Sequence, residues 1–546
     1  MTPAAPRGAV GFALPWLVLL AAIPLARLLA EVLGTPALSS LATDAAVWRA
    51  TWRSLALAFG ATLLSVLLGV ALAAALLLRD IPGRRPLLFA AILPLLVPPQ
   101  VMALAVAQVG GPASPLLLAL DLAPPLGSPN RAYGPAGMML VLGVQGAPLV
   151  LLALAALVRR VPMEAVQAAR SLGCTPAAAL RRIVWPLLLP GVIAGAGLAW
   201  LAALGNFGVA AVLGIPARWT VLPVLLWQRL GAGGAQALAQ AAALAVLLAV
   251  LALPGLLAQV VAARAAPLPD GRVFAPLPLR HGWLLSLLVG AWLLAVLGVP
   301  LLSLGATALV PALGMPVSPE TLTLRHFLAA LSPGAQTGRA VGVSLMLAGG
   351  AALVLAAAAV PVALALRARP VRIAAGIADL PQALPGACTA IAAILVVLAL
   401  PGGGALYGSV WLIGLAYLTR FQPLALRPVA AAAARLDPRL DFAARGMGAG
   451  LLWRVRAVWG PPLAPALAAG ALVVTLLAVN EVTVSALLIG PGAVTLGTLV
   501  FNLQDAGQAP LAAATALLAL GLVAGLMLAA TLAGRGLPAG TLPWRP

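Results

Sequence analysis

QAARSLGCTPAAALRRIVWPLLLPGVIAGA, residues 167–196, and FAARGMGAGLLWRVRAVWGPPLAPALAAGA, residues 442–471, are one passage written twice. At an offset of 275, eleven of the 29 positions from Ala168 to Ala196 are identical to those from Ala443 to Ala471. Matches of Ala and Leu carry little weight in this composition. The pairs Arg170/Arg445, Gly173/Gly448, Arg181/Arg456, Pro186/Pro461, Pro190/Pro465 and Gly195/Gly470 carry more. A fainter echo joins SLALAFGATLL from Ser54 to SLMLAGGAALV from Ser344, at an offset of 290. The chain is an internal duplication.

Each copy of the passage has the physical content of a rigid element rather than a loop. A short helix, expected over 162–172 and 437–447, ends at a glycine that permits the left-handed residue of a helix C-terminus. A second, arginine-studded amphipathic helix follows. It is expected to break at Pro186 or Pro461 before the next apolar run begins. Such a unit, present at matching places in both halves, is suited to being gripped and levered by a partner.

Outward from these passages the chain is apolar. Of 546 residues, 63% are hydrophobic and 8% charged, too few charges to cover a soluble domain of this size. Apolar runs of about 20 residues recur from end to end, the length a bilayer-spanning helix needs. The reading is an all-α polytopic membrane protein of about twelve helices, near 11–32, 54–78, 87–108, 136–157, 190–213, 236–262, 282–309, 341–366, 374–400, 404–419, 464–489 and 509–533. The first run, after Arg7, is read as an uncleaved helix rather than a signal peptide because further spans follow. The Pro-rich stretch 264–281 reads as a linker between a first half, 1–263, and a second, 282–546, with the duplicated loops at 162–190 and 437–465. Residues 110–135, rich in Gly and Pro, form an irregular segment on the opposite side.

All 32 basic residues are arginine, and the formal charge is +20. With the N-terminus inside, 24 of the 32 fall in cytoplasmic segments and eight outside, which sets both termini in the cytoplasm. The same distribution explains the charge without nucleic acid, since no basic-aromatic groove segment accompanies it. Cys174, Cys388, His281 and His326 are isolated, so neither a disulfide framework nor a metal cluster is expected. No clustered acid–base set suggests an enzyme. Twelve acidic residues, mostly in loops, are few for an ion-coupled secondary transporter, the competing transport class. Polar residues inside spans mark a pathway or a helix–helix clamp. Glu481 and Asn480 in the eleventh helix, with Asn206 at the equivalent place in the fifth, are the candidates for a pathway. Pro94, Pro98 and Pro99, and Pro381 and Pro385 beside Asp379, mark broken helices that either hinge or simply kink.

The duplicated passage resembles the EAA loop of binding-protein-dependent ABC importer permeases: Glu-Ala-Ala, three residues, Gly, nine residues, Ile, one residue, Leu-Pro. Ala168, Ala169, Gly173, Ile183 and Pro186 stand on that spacing, as do Ala443, Ala444, Gly448, Val458 and Pro461. Both copies depart at the glutamate, which is Gln167 in one and Phe442 in the other, while Glu164 and Asp441 lie nearby; Trp185 and Gly460 replace the leucine. The resemblance implies a fused type I importer permease in the bacterial inner membrane, with two copies of a nucleotide-binding subunit seated on these loops and a solute-binding protein on the other face. Arg170 and Arg445 belong to the same docking elements. It also implies that the fifth helix of each half lines the path. The chain has no GxxxxGK[ST] loop, so ATP and magnesium belong to the partner and no cofactor to this chain. The fusion is similar to ferric iron and thiamine permeases. The runs from Gly205 and Asn480 favour the iron type, with thiamine, an aminophosphonate, a polyamine or an anion as alternatives.

Overall fold

The computed structural model describes residues 7–125, 127–158, 160–234, 236–264, 277–278 and 281–533. Most of the expected linker, 265–276 and 279–280, lies outside the described residues, as do Arg159, Arg272, Arg280, Arg535 and Arg545 of the arginine count.

The chain is a helical bundle of two six-helix halves. In the first half α1 runs Arg7–Leu17 and, through a π turn, Ile23–Leu33; α2 is Ala45–Leu76; α3 is broken into Arg84–Leu96 and Pro99–Gly110. Then come α4 (Pro135–Val158), α5 (Trp185–Leu204) and α6 (Ala237–Ala263). The second half repeats the order. Its α7 is Gly282–Leu293 and, through a π turn, Val299–Ala308; α8 is Gln336–Ala365; α9 is broken into Arg369–Ala378, Leu380–Ala383 and Gly386–Leu398. It closes with α10 (Val410–Ala434), α11 (Gly460–Val479) and α12 (Ala509–Ala533). Ten of these helices are long and apolar enough to cross a membrane, and α9 is an eleventh, bent by 116° at its break. The twelfth, α10, carries Arg420 and Arg427 within it.

Several boundaries differ from the expected ones, α2 starting at Ala45 rather than 54, and three of the differences bear on the site. The tenth helix was expected to stop at residue 419, before Arg420; it continues to Ala434 and carries Arg420 inward, where an acidic partner stabilises it. Arg420 therefore leaves the cytoplasmic arginine count. The fifth and eleventh helices end at Leu204 and Val479, earlier than 213 and 489. Asn480 caps α11, and Glu481 lies in the break beyond it rather than within the helix.

Helix packing explains the paired glycines of the repeat. A Cβ on Gly195 would lie 2.6 Å from the Cα of Val150, and one on Gly470 would lie 3.0 Å from the carbonyl of Ala425. Val150 and Ala425 are themselves 275 apart. In both halves only glycine lets the fifth helix touch the fourth. The first helix of each half reaches across to the other: α1 packs on α8 and α9, and α7 packs on α3.

Several prolines are absorbed rather than obeyed, unlike Pro98 and Pro385 at the breaks of α3 and α9. A proline removes one helical amide and collides with the carbonyl four residues back. Among the described residues five π turns each close two residues before a proline: Val18–Ala22 before Pro24, Leu180–Val184 before Pro186, Ala210–Gly214 before Pro216, Leu294–Gly298 before Pro300 and Val455–Trp459 before Pro461. In four of them the next amide reaches back five residues, as from Trp185 to Leu180 and from Gly460 to Val455. The expected breaks at Pro186 and Pro461 do not occur. The chain stays helical from Pro176 to Leu204 and from Leu451 to Val479.

Candidate functional site

The two duplicated elements fold alike. The first helix, Met163–Ser171 in one and Pro438–Gly446 in the other, carries an acid in its first turn (Glu164, Asp441) and an arginine in its last (Arg170, Arg445), matching the helix dipole at both ends. Gly173 then takes φ +86° and Gly448 φ +77°. The amide of Gly173 donates to the carbonyl of Arg170 (3.0 Å) and that of Cys174 to Ala169 (3.0 Å). The second copy repeats this, Gly448 to Arg445 (2.9 Å) and Ala449 to Ala444 (2.9 Å). This is the Schellman pair of bonds, and it accounts for the Ala-x-x-x-Gly spacing. The alanine supplies the carbonyl that the residue after glycine must reach.

The remaining motif residues divide by exposure. Gln167, Ala168, Arg170, Ala443, Arg445 and Phe442 face outward, Ala169 is half-buried, and Ala444 is buried. Ile183 and Val458 sit in the π turns and pack on the core, and Pro186 and Pro461 start α5 and α11. Asp441 is held within the chain, by Arg445 (2.7 Å) and by Arg454 (2.8 Å) across the glycine. Two residues escaped the sequence reading. Leu172 and Met447, directly before each glycine, are 87% and 77% exposed. Their signal was available: an apolar pair at offset 275, directly before each glycine.

The far ends of α5 and α11 meet each other. The breaks Gly205–Phe207 and Asn480–Val482 touch through Thr483, whose hydroxyl donates to the carbonyl of Gly205 (3.4 Å) and accepts from the amide of Phe207 (3.5 Å). Asn206 Oδ1 accepts from the amide of Val209 (2.8 Å), and Glu481 Oε1 from that of Val484 (3.0 Å). Both pairs are 275 apart, so the two side chains do one job, starting the segment after the break. Asn480 Oδ1 is buried without a hydrogen-bond partner among the described residues.

A second symmetric pair stands behind the first. Gln145 in α4 donates to the carbonyl of Val97 (3.1 Å), stranded where α3 breaks. At the same offset, Arg420 in α10 donates to Leu384 (3.2 Å), stranded where α9 breaks. The two halves differ in charge. Asn206 and Gln145 are neutral, whereas Arg420 and Glu481 form an ion pair at 3.2 Å with side chains 17% and 12% exposed. Tyr417 ties Ser485 to the same place, with the hydroxyls 2.9 Å apart.

Beyond the breaks, short helices Leu222–Ala232 and Leu496–Asp505 fold back into the bundle. Buried Ser54 accepts from the amide of Leu222 and buried Ser344 from that of Leu496, each at 2.8 Å. The weak echo at Ser54 and Ser344 thus marks one structural role. Phe207, Trp227 and Phe501 close the contact between halves as a triangle of rings 5.7, 5.8 and 6.0 Å apart. Among the described residues no group of three potential metal ligands lies together.

Two membrane helices thus meet between homologous halves, each continuous with an exposed helix–glycine–helix element. Residues 65–266 match the model of the binding-protein-dependent transport system inner membrane component. The chain is 30% identical over 443 residues to a "probable ABC transporter permease protein" of Sinorhizobium fredii, covering 79% of this chain and 77% of that one. It is 31% identical over 235 residues to the thiamine transport system permease protein of Brucella abortus, 42% of each. It is also 31% identical over 196 residues to a "probable sulfate transport system permease protein" of Nephroselmis olivacea, 35% of this chain and 66% of that one. The chain belongs to the ABC transporter permease family of binding-protein-dependent importers, whose working partners are an ATP-binding subunit and a solute-binding protein.

Proposed function

We propose that this chain forms the translocation unit of such an importer, residues 1–263 and 282–546 acting as two permease halves and 264–281 as their linker. Two copies of the nucleotide-binding subunit, which hold ATP and magnesium and carry out hydrolysis, seat on the elements around Gly173 and Gly448. Both elements and both termini face the cytoplasm of a bacterium, and the protein lies in its inner membrane. The binding protein docks on the opposite face. The observation that carries this reading is the twinned helix–Gly–helix element with an exposed apolar residue at each turn, since Leu172 and Met447 at 87% and 77% exposure are what a buried interface needs and solvent does not.

Closure of the ATP-binding subunits moves the two elements, and α5 and α11 carry that motion to the contact at Thr483. Solute passes where Asn206, Asn480 and Glu481 flank the parted breaks. The substrate proposed is ferric iron, on the likeness of the runs from Gly205 and Asn480 to iron-type permeases. The likeness to relatives named for thiamine and for sulfate supports thiamine or an oxyanion as the second reading.

The test is co-purification of the tagged chain with the ATP-binding subunit, followed by uptake of labelled ferric iron, thiamine and sulfate into proteoliposomes with loaded binding proteins. Stable 1:2 assembly lost in a Leu172→Asp/Met447→Asp variant is expected. Assembly indifferent to both substitutions overturns the docking reading, and uptake of a different solute overturns iron alone.

A further inference from the structure

The seam where a first helix crosses to the opposite half is built twice, and the two copies are unequal. Where α7 crosses α3 and α4 there is a cavity of about 370 Å³, walled by Met102, Val106 and Val141 on one side and Ala295, Val296 and Val299 on the other. Counting from the prolines that follow the two π turns, Pro24 and Pro300, these three α7 residues stand where α1 has Leu19, Leu20 and Ile23. The α7 side chains are shorter by three, one and one carbons. Of the three α1 residues Leu20 is buried at 2% exposure, while Leu19 and Ile23 are 52% and 38% exposed; the counterpart of Leu20, Val296, borders the void.

The walls of the cavity face the bilayer. Its α7 wall belongs to the least covered span in the chain, with 22% of its most apolar stretch buried, and Leu294 and Leu302 beside it are 60% and 61% exposed. Leu140 on the α4 side is 46% exposed. An apolar void in contact with lipid tails fills with them, because an empty one forfeits dispersion contacts on every wall.

One polar group marks the rim. Arg131 borders the cavity at the start of α4, the end opposite the coupling elements. It is exposed and forms no hydrogen bond or ion pair among the described residues. Its position is fixed by the neighbouring Asn130, which donates to Ala107 (2.8 Å) and accepts from Ala132 (2.9 Å). A guanidinium at the membrane interface above an apolar slot is complementary to a phosphate above an acyl chain.

We propose that this seam binds one anionic glycerophospholipid, an acyl chain in the cavity and its phosphate on Arg131, in the leaflet away from the coupling elements.

The experiment is lipid extraction and native mass spectrometry of the full chain purified from membranes containing phosphatidylglycerol and phosphatidylethanolamine. Three proteins are compared: wild type, Arg131→Gln, and Ala295→Leu/Val296→Leu/Val299→Ile, which imports the bulkier α1 residues to fill the cavity. Wild type is expected to retain about one phosphatidylglycerol per chain. Arg131→Gln, a surface change that leaves the fold intact, is expected to lower the ratio of retained phosphatidylglycerol to phosphatidylethanolamine about tenfold, the effect of about 1.4 kcal/mol. The refilled variant is expected to lose both lipids. Retention of no phospholipid by wild type, an unchanged lipid ratio in Arg131→Gln, or recovery of a transported solute from the cavity overturns the proposal. If the refilled variant fails to fold, the Arg131→Gln ratio decides alone.

Discussion

Neutralising one member of the Arg420–Glu481 pair should damage the protein far more than neutralising both. At 3.2 Å and an effective dielectric of about 20, the attraction is about 5 kcal/mol. Removing either partner strands a charge whose neighbours are a proline break and apolar helices, at a cost of about 3–5 kcal/mol. The first half shows how to remove both. Gln145 and Asn206 make the same two backbone bonds without charge. Arg420→Gln/Glu481→Asn therefore rebuilds in the second half an arrangement the protein already tolerates, and should cost about 1 kcal/mol or less. The assay is a double-mutant cycle by chemical denaturation in a mild detergent, followed by helical circular dichroism. The expected non-additivity is about 3 kcal/mol or more, with the double variant more stable than either single. Additive losses would refute the reasoning, for they would mean that the two charges act on separate surroundings rather than on each other. Transport separates fold from path: a double variant that is stable yet altered in uptake places the charges on the solute's route.

Four further outcomes follow from the same geometry. Gly173→Ala and Gly448→Ala meet open space but force a side chain to positive φ, so each should cost about 1–2 kcal/mol in its element and lower retention of the ATP-binding subunit in pull-down, the double variant most. Leu172→Asp should abolish pull-down at that site while leaving the thermal unfolding midpoint unchanged, because its side chain is 87% exposed. Ser344→Ala strands the buried amide of Leu496 and should lower stability by about 1–3 kcal/mol; Ser54→Ala should match it at Leu222, and a large difference between them would argue against equivalent roles. Phe207→Ala removes one corner of the ring triangle, each contact of which is worth about 0.5–1.5 kcal/mol, and should raise solute leak without ATP in proteoliposomes.

The number of helices, the duplication and the helix–glycine–helix elements were legible because each leaves a local mark: a run of apolar residues, a repeated spacing, a glycine at a fixed distance. The helix ends were less so. Arg420 reads as a loop residue by charge, and only its distant partner Glu481, 61 residues away, permits it inside a helix. Asn206 and Glu481 read as residues within helices because the runs around them stay apolar, yet each caps the segment after a break. Gly205 and Gly208 stand beside Asn206 as a turn signal, but glycine is common throughout the chain and the signal drowns. Pro186 and Pro461 read as breakers by their missing amide. What overrides that rule is a π turn, and nothing in LRRIV or VRAVW announces one.

The π turns also bear on how force can pass through the molecule. From Pro176 to Leu204 and from Leu451 to Val479 the chain is one helical rod; at 1.5 Å per residue its 29 residues span about 44 Å. One end sits at the Schellman glycine and the other at the contact through Thr483. Had Pro186 broken the helix, a push on the docking element would have been spent in a loose joint. A π turn keeps the amides bonded, five residues back instead of four, so the rod bends at one place without parting. Its near end is braced by packing of Ile183 and Val458, and in the second half by Arg454 stacked 5.1 Å over Trp459. Compliance is thus confined to the joint, and the far end is held across the halves by two long hydrogen bonds at Thr483, of 3.4 and 3.5 Å, beside the rings of Phe207, Trp227 and Phe501. On the proposed function, a lever stiff along its length delivers its motion to that tip contact, between the two halves, where the proposed path opens.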